Sequence, residues 1–308
     1  MKTYLDIAHE GKNDWWRYLI GYPFILLTWL VVGSIPVFVM AGIVMLDGNP
    51  ATELLTSGFV GIDPTLNFTI SMVTFIPFIL ATILTVVILH RRHLRTLVTA
   101  NERVGWPRLF AGFAVWFVIS AGVALVEALT HPGRYQYTPH PESYLGFAVA
   151  AIILIPIQTS AEEFFFRGYF IQNVGLKLKN PLVLSFLSGL LFTLPHMANP
   201  EVAENALLVP LFYFFFGAFA TYISLRDNGL ELPLGMHAAN NLFTALFVNA
   251  TVTALPTPAI FTVTEFDVVY NLVSPLVGMV IFYVLMFNVW PKKAGPELQP
   301  NPEKALID

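Results

Sequence analysis

The chain has no cysteine and little charge, and each absence excludes functions. Without cysteine there are no disulfides, no thiolate zinc sites and no cysteine nucleophile. Charged residues make up 12% of the 308 residues, roughly half the share of about 25% in soluble domains. So little charge cannot cover the apolar surface implied by 56% hydrophobic residues, 27 Phe among them, and a mean hydropathy of +0.67. A net charge of -4 also argues against nucleic acid as a partner. The composition is that of a polytopic membrane protein.

A bilayer core needs about 20 mostly apolar residues per helix. Eight stretches approach or exceed that length: residues 19–46, 66–89, 109–129, 144–173, 182–196, 207–225, 234–250 and 268–290. The fifth and seventh are short. The fourth, at 30 residues, reaches about 45 Å as a helix, so it is expected to project into water or to bend at Pro156. The tail beyond Trp290, with Pro291, Pro296, Pro300 and Pro302, reads as disordered. The expected fold is all-α, a bundle of about eight transmembrane helices. Its parts are an amino-terminal tail with three helices (1–143), a core (144–250), and a last helix with a polar tail (251–308).

Basic residues set the orientation. Fourteen of the 16 Lys and Arg fall on one side of an eight-span arrangement, including Arg91 to Arg108, Lys177, Lys179, Arg226, Lys292, Lys293 and Lys304. Arg134 is alone on the other side and Arg167 lies within a span. By the positive-inside rule both termini face the cytoplasm. Trp15, Trp16, Trp106 and Trp290 then fall at cytoplasmic boundaries, as an aromatic belt places them.

The informative positions are polar side chains inside the spans. The fourth span contains Ser160-Ala-Glu162-Glu163-Phe-Phe-Phe-Arg167-Gly168. A central Asp, Lys or Arg costs about 2.5–3.5 kcal/mol, and taking Glu as similar puts the three charges at about 8–10 kcal/mol. The three Phe return only about 1–2 kcal/mol, so the bundle must receive these groups. Glu163 and Arg167 are i,i+4 and can pair. An ion pair that merely holds helices together explains those two as well as a functional role does. Glu162 points about 100° away, free to face a cavity, and is not explained that way.

The fifth span ends Phe192-Thr-Leu-Pro-His196, and the seventh begins Gly235-Met-His237-Ala-Ala-Asn240-Asn241. His237 and Asn241 share a helix face. The other five His lie at or outside predicted membrane boundaries. Counted from the neighbouring turns, these groups can reach one depth in a shared cavity, expected to open more readily from the cytoplasm. A carboxylate with a His can deprotonate water and later protonate a leaving amine. Imidazole and amide groups can donate to an oxyanion. Zinc-protease, serine-elbow and nucleotide-loop motifs are absent. Two His and one Glu can ligate zinc, so Zn on Glu162, His196 and His237 is the alternative to a site without a cofactor.

In order, Glu162-Glu163-x-x-x-Arg167, Phe192-x-x-x-His196 and His237-x-x-x-Asn241 resemble the three motifs of the CPBP family of CAAX-processing and bacteriocin-processing membrane proteases, also called the Abi family or type II CAAX prenyl endopeptidases. The resemblance covers roughly residues 144–250. It implies an intramembrane endopeptidase with a cavity reached from the cytoplasmic side. It also implies Glu162 as general base on water assisted by His196, with His237 and Asn241 on the oxyanion. Glu163 and Arg167 would orient this set. The family was long described as metalloproteases, which is where zinc enters. The implied substrate is a membrane-associated protein or peptide, with or without a lipid modification, and the expected location is an integral membrane, the plasma (inner) membrane if the source is prokaryotic. Competing functions are a non-proteolytic bacteriocin-immunity or scaffolding protein of the same fold, or a proton-coupled transporter using carboxylate and His relays.

The orientation has a direct test, because single cysteines can be introduced into a cysteine-free chain. Cysteines in 46–65 or 251–267 should react with an impermeant reagent on intact cells, and those in the amino-terminal tail should not. The opposite pattern rejects it.

Overall fold

The computed structural model describes residues 2–291 apart from 50, 56, 57 and 266. The tail with Lys292, Lys293, Lys304 and the prolines after Pro291 lies outside the described residues. Eight helices follow the eight apolar stretches: α1 (Trp15–Leu46), α2 (Pro64–Leu89), α3 (Trp106–Thr130), α4 (Glu142–Val174), α5 (Pro181–His196), α6 (Leu208–Asp227), α7 (Glu231–Leu246) and α8 (Val268–Val289). All but α5 and α7 are long and apolar enough to cross a membrane. Leu30, Val118 and Val280, among many large apolar side chains, face outward, an arrangement that suits lipid and not water.

The two short helices have 16 residues each, about 24 Å. Twelve residues of α7 are buried, so protein rather than lipid surrounds it. This helix differs from the 234–250 stretch at both ends. It starts at Glu231, buried in the first turn, where the carboxylate accepts the Gly105 N–H at 3.1 Å and suits the positive end of the helix dipole. It stops at Leu246, and Val248–Ala250 is a strand. In α4 the irregularity follows Glu163, as a π turn over Phe164–Phe170, whereas Pro156 stays within regular helix. Five successive residues of that turn, Phe165 to Tyr169, are buried. The bundle encloses α4 on all sides there.

In lipid, helices associate by close packing, which favours small residues at crossings. Two crossings bring backbones together. Where α3 meets α7, a Cβ on Gly112 would lie 2.8 Å from the Leu232 carbonyl, and one on Gly235 would strike that of Leu109. Where α5 meets α6, Gly217 lies against Gly189, with 3.2 Å between a Cβ built on the first and the Cα of the second. The first crossing seats α7 inside the bundle. The second places the Gly217 carbonyl where α4 can reach it.

Short strands gather at the end of the bundle where α3 stops and α4 starts. β1 (Glu53–Leu55) and β2 (Gly58–Val60) form an antiparallel hairpin. β3 (Tyr135–Tyr137), β4 (Val248–Ala250) and β5 (Phe261–Val263) form a sheet in the order β3-β5-β4, with β3 antiparallel and β4 parallel to β5. Arg134, the isolated cation, ties this end together through Asp267 at 2.9 Å and Glu127 at 3.4 Å. The Tyr270 N–H and then Arg134 hold the Asp267 carboxyl below the usual carboxylate range.

The opposite, basic end is closed by the amino-terminal segment. Tyr4 is fully buried, its hydroxyl donating to the Leu97 carbonyl and its N–H to Asn228 Oδ1 at 2.9 Å. Gln172 Nε2 donates to the carbonyls of Thr96 (2.7 Å) and Tyr4 (3.3 Å), and Arg92 Nη2 donates to Gln172 Oε1 at 2.6 Å. His90, just past α2, donates from Nδ1 to the Lys12 carbonyl at 2.8 Å. Its Nε2 therefore accepts from the Tyr169 hydroxyl at 3.1 Å.

Burial holds the His90 imidazole down at about 4. The unfolded chain, with His near 6.5, binds more protons than the folded one between those values. Stability should therefore fall as pH drops from about 6.5 to 4, by up to about 3 kcal/mol, and level off below. His90→Asn keeps the bond to Lys12 without titrating. Its Tm in detergent should be less sensitive to acid than that of the wild type, and equal sensitivity would remove His90 as the cause.

Candidate active site

The last regular turn of α4 ends in Glu162 and Glu163, and the π turn that follows carries Arg167. Glu163 and Arg167 are both fully buried. Arg167 Nη1 donates to Glu163 Oε1 at 3.0 Å, and Nη2 donates to the Gly217 carbonyl at 3.3 Å. The guanidinium also lies 4.4 Å from the ring centre of Phe192. A buried charge without a partner is costly, and here hydrogen bonds, an opposite charge and an aromatic face all serve one cation.

Glu163 serves two partners. The same Oε1 accepts from His237 Nδ1 at 2.8 Å. The other ring nitrogen, Nε2, lies 3.5 Å from Glu162 Oε2. A chain therefore runs Arg167, Glu163, His237, Glu162. With both ring nitrogens protonated its formal charges sum to zero, and with one it carries a net negative charge.

Glu162 and His237 face a cavity of about 600 Å³ that His196, Asn241, Gln158 and Tyr213 also line. Asn241 Nδ2 donates to Gln158 Oε1 at 2.9 Å, Asn240 Nδ2 to Asn241 Oδ1 at 3.0 Å, and Trp116 Nε1 to Asn240 Oδ1 at 3.2 Å. His196 Nδ1 donates to the Phe192 carbonyl at 2.7 Å, which leaves an Nε2 lone pair for the cavity. Its ring lies 4.3 Å from that of Tyr213, whose hydroxyl donates to Glu201.

All six residues singled out in the sequence are thus in one region, in two groups. Glu162, Glu163, Arg167 and His237 are linked directly. His196 and Asn241 line the same cavity without bonding to that chain. Among the described residues no three His, Asp or Glu side chains converge on a point where a metal could sit. The alternative zinc set of Glu162, His196 and His237 is therefore not assembled.

Gln158 and Asn240 were not foreseen. Both had a readable signal, being amides in apolar stretches, one of them four residues before Glu162. Trp116 and Tyr213 had none, since a cavity aromatic and a lipid-facing one look alike in sequence.

The cavity is not placed symmetrically between the two ends of the bundle. Its lining continues from Glu162 past Ala124 and Glu127 to Tyr135, β4 and Tyr270, and includes nothing from the basic connections. It runs toward the end that carries Arg134 and the sheet. The basic end is where the buried network of Tyr4, Arg92 and Gln172 packs the bundle shut.

The family described as type II CAAX prenyl endopeptidase Rce1-like matches residues 141–243, a range that holds Glu162, Glu163, Arg167, His196, His237 and Asn241. The "Uncharacterized protein YyaK" of Bacillus subtilis (strain 168) is 33% identical over 286 residues, covering 89% of this chain and 94% of that protein. No solved structure matches.

Removing Arg167 tests the first link. Arg167→Ala leaves Glu163 buried with one cation fewer and should destabilise the protein by about 3–5 kcal/mol, read as lower expression and Tm. Adding Glu163→Gln should recover part of the loss, and strictly additive losses would show that the two do not form a unit.

Proposed function

Because the chain belongs to the Rce1-like family of type II CAAX prenyl endopeptidases and is an integral multi-pass membrane protein, we propose that it hydrolyses a peptide bond of a membrane-associated protein or peptide with water activated by Glu162. One observation carries the reading. A carboxylate faces a cavity with an imidazole 3.5 Å away, and that imidazole is held by a buried Glu163–Arg167 pair. Preorganised groups of this kind do not reorient during reaction, which is the main source of electrostatic catalysis.

In the proposed reaction Glu162 takes a proton from water, and the water oxygen bonds to the substrate carbonyl carbon. The carbonyl electron pair moves onto its oxygen, where His237 Nε2–H and the Asn241 amide donate to it. The C–N bond then breaks as the proton held by Glu162 passes to the amide nitrogen, leaving a carboxylic acid and an amine. The lone pair of His196 Nε2 suits it to hold the attacking water beside Glu162. Glu163 and Arg167 touch no reacting atom and act by positioning His237. The basic ends are taken to face the cytoplasm, in keeping with the positive-inside rule.

Glu162→Gln keeps size and removes the basic carboxylate. Comparing peptide termini in cells with and without an active copy identifies a substrate. Cleavage of that substrate should fall by about 10²–10⁴-fold in Glu162→Gln. His196→Ala should fall similarly and add little to it, because groups acting as a unit are non-additive. Full cleavage by folded Glu162→Gln would overturn the assignment.

A further inference from the structure

The cavity face of α7 carries more than the two residues of its motif. His237, Asn240, Asn241 and Thr244 recur at intervals of three and four, all lining the cavity, and the same path continues into β4, whose three residues line it too. From His237 to Leu246 the helix rises about 14 Å. An extended peptide covers that distance in about four residues.

β4 is an edge strand, since the sheet order is β3-β5-β4. The Phe261 N–H donates to the Phe247 carbonyl at 2.9 Å, and the Thr251 N–H donates to the Val263 carbonyl at 3.1 Å. In a parallel ladder one strand bonds its neighbour through alternate residues. Val248 and Ala250 therefore turn their backbone groups away from β5. The Ala250 N–H donates to the side chain of Asn249 at 2.8 Å, a local contact that an incoming carbonyl can replace. An unpaired edge is a template for another strand. Here the edge borders the cavity that reaches Glu162, so what pairs with it is what enters that cavity.

We infer that β4 is a docking strand for an extended peptide, which enters from the end opposite the basic connections and adds to the sheet as a fourth strand. Its scissile bond then lies about four residues further along, at Glu162 and His237. Main-chain pairing with a sheet edge is a general mode of peptide recognition, and the amides of Asn240, Asn241 and Gln158 offer further partners along the path. That the peptide is a substrate rests on the endopeptidase reading; that it docks on β4 does not.

The test uses the full chain in sealed membrane vesicles of either orientation, with Ala250→Cys as its single cysteine. The probe is a pool of peptides of about ten residues, randomised in sequence, each with one cysteine. Disulfide capture at position 250 should occur from the sheet side only. N-methylation of alternate amides in one frame should lower it about tenfold, the worth of a lost hydrogen bond, and the other frame should not. Proline is tolerated at strand edges, and Ala250→Pro should raise KM for the cleaved substrate about tenfold with little change in kcat. Capture that is absent, comes from the basic side, or ignores N-methylation overturns the docking strand. Cleavage without such capture leaves the endopeptidase standing and removes the docking strand. Capture without any cleavage by the wild type does the reverse.

Discussion

Arg167 and Glu163 sit 3.0 Å apart with no exposed surface, in the middle of a bundle built to face lipid. Neither charge can be there alone, and most of what surrounds them follows from that. The guanidinium needs acceptors for its remaining N–H groups, and a helix normally keeps its carbonyls to itself. The Gly217 carbonyl on α6, beside the Gly189–Gly217 crossing, meets part of this need by accepting from Nη2, while the buried Nε finds no partner among the described residues. Phe192 supplies an aromatic face to the same cation. Replacing such a pair with apolar residues often costs nothing in stability, so the pair is better understood through what it holds than through what it contributes to folding.

What it holds is His237. Glu163 Oε1 accepts from both Arg167 and His237, which fixes the imidazole by one nitrogen and leaves the other toward Glu162. The π turn matters here. It begins directly after Glu163, so the paired carboxylates come from regular helix while Arg167 comes from a widened turn whose five central residues, Phe165 to Tyr169, are enclosed. Widened turns of this kind recur at functional sites. The Gly112–Gly235 crossing has a matching role for α7, bringing the helix that carries His237 inside the bundle.

The two ends of the molecule are built differently. At the basic end, Tyr4, Arg92, Gln172 and His90 form a buried polar network around the amino-terminal segment. At the other end, Arg134 gathers Glu127 and Asp267 beside a small sheet, and the cavity continues to that sheet. A polar network with its partners satisfied is rigid. The end with the strand edge is where the proposed docking strand lies.

The sequence by itself determined the class of the protein, the eight apolar stretches that form helices, and the polar residues within them that are candidates for a site. Each is legible for a physical reason. Apolar length reports on membrane helices, a charge within such a length is costly enough to need a purpose, and i,i+4 spacing places Glu163 beside Arg167 and His237 on the face of Asn241. Only the tertiary structure decided that His237, 74 residues from Glu163, shares one of its carboxylate oxygens with Arg167, that α7 begins at a buried Glu231, and that the cavity leads away from the basic end. Those facts depend on contacts between distant segments and, at β4 and Gly217, on backbone groups that every residue carries. Such groups leave no mark in residue identity, so no reading of side chains alone could have found them.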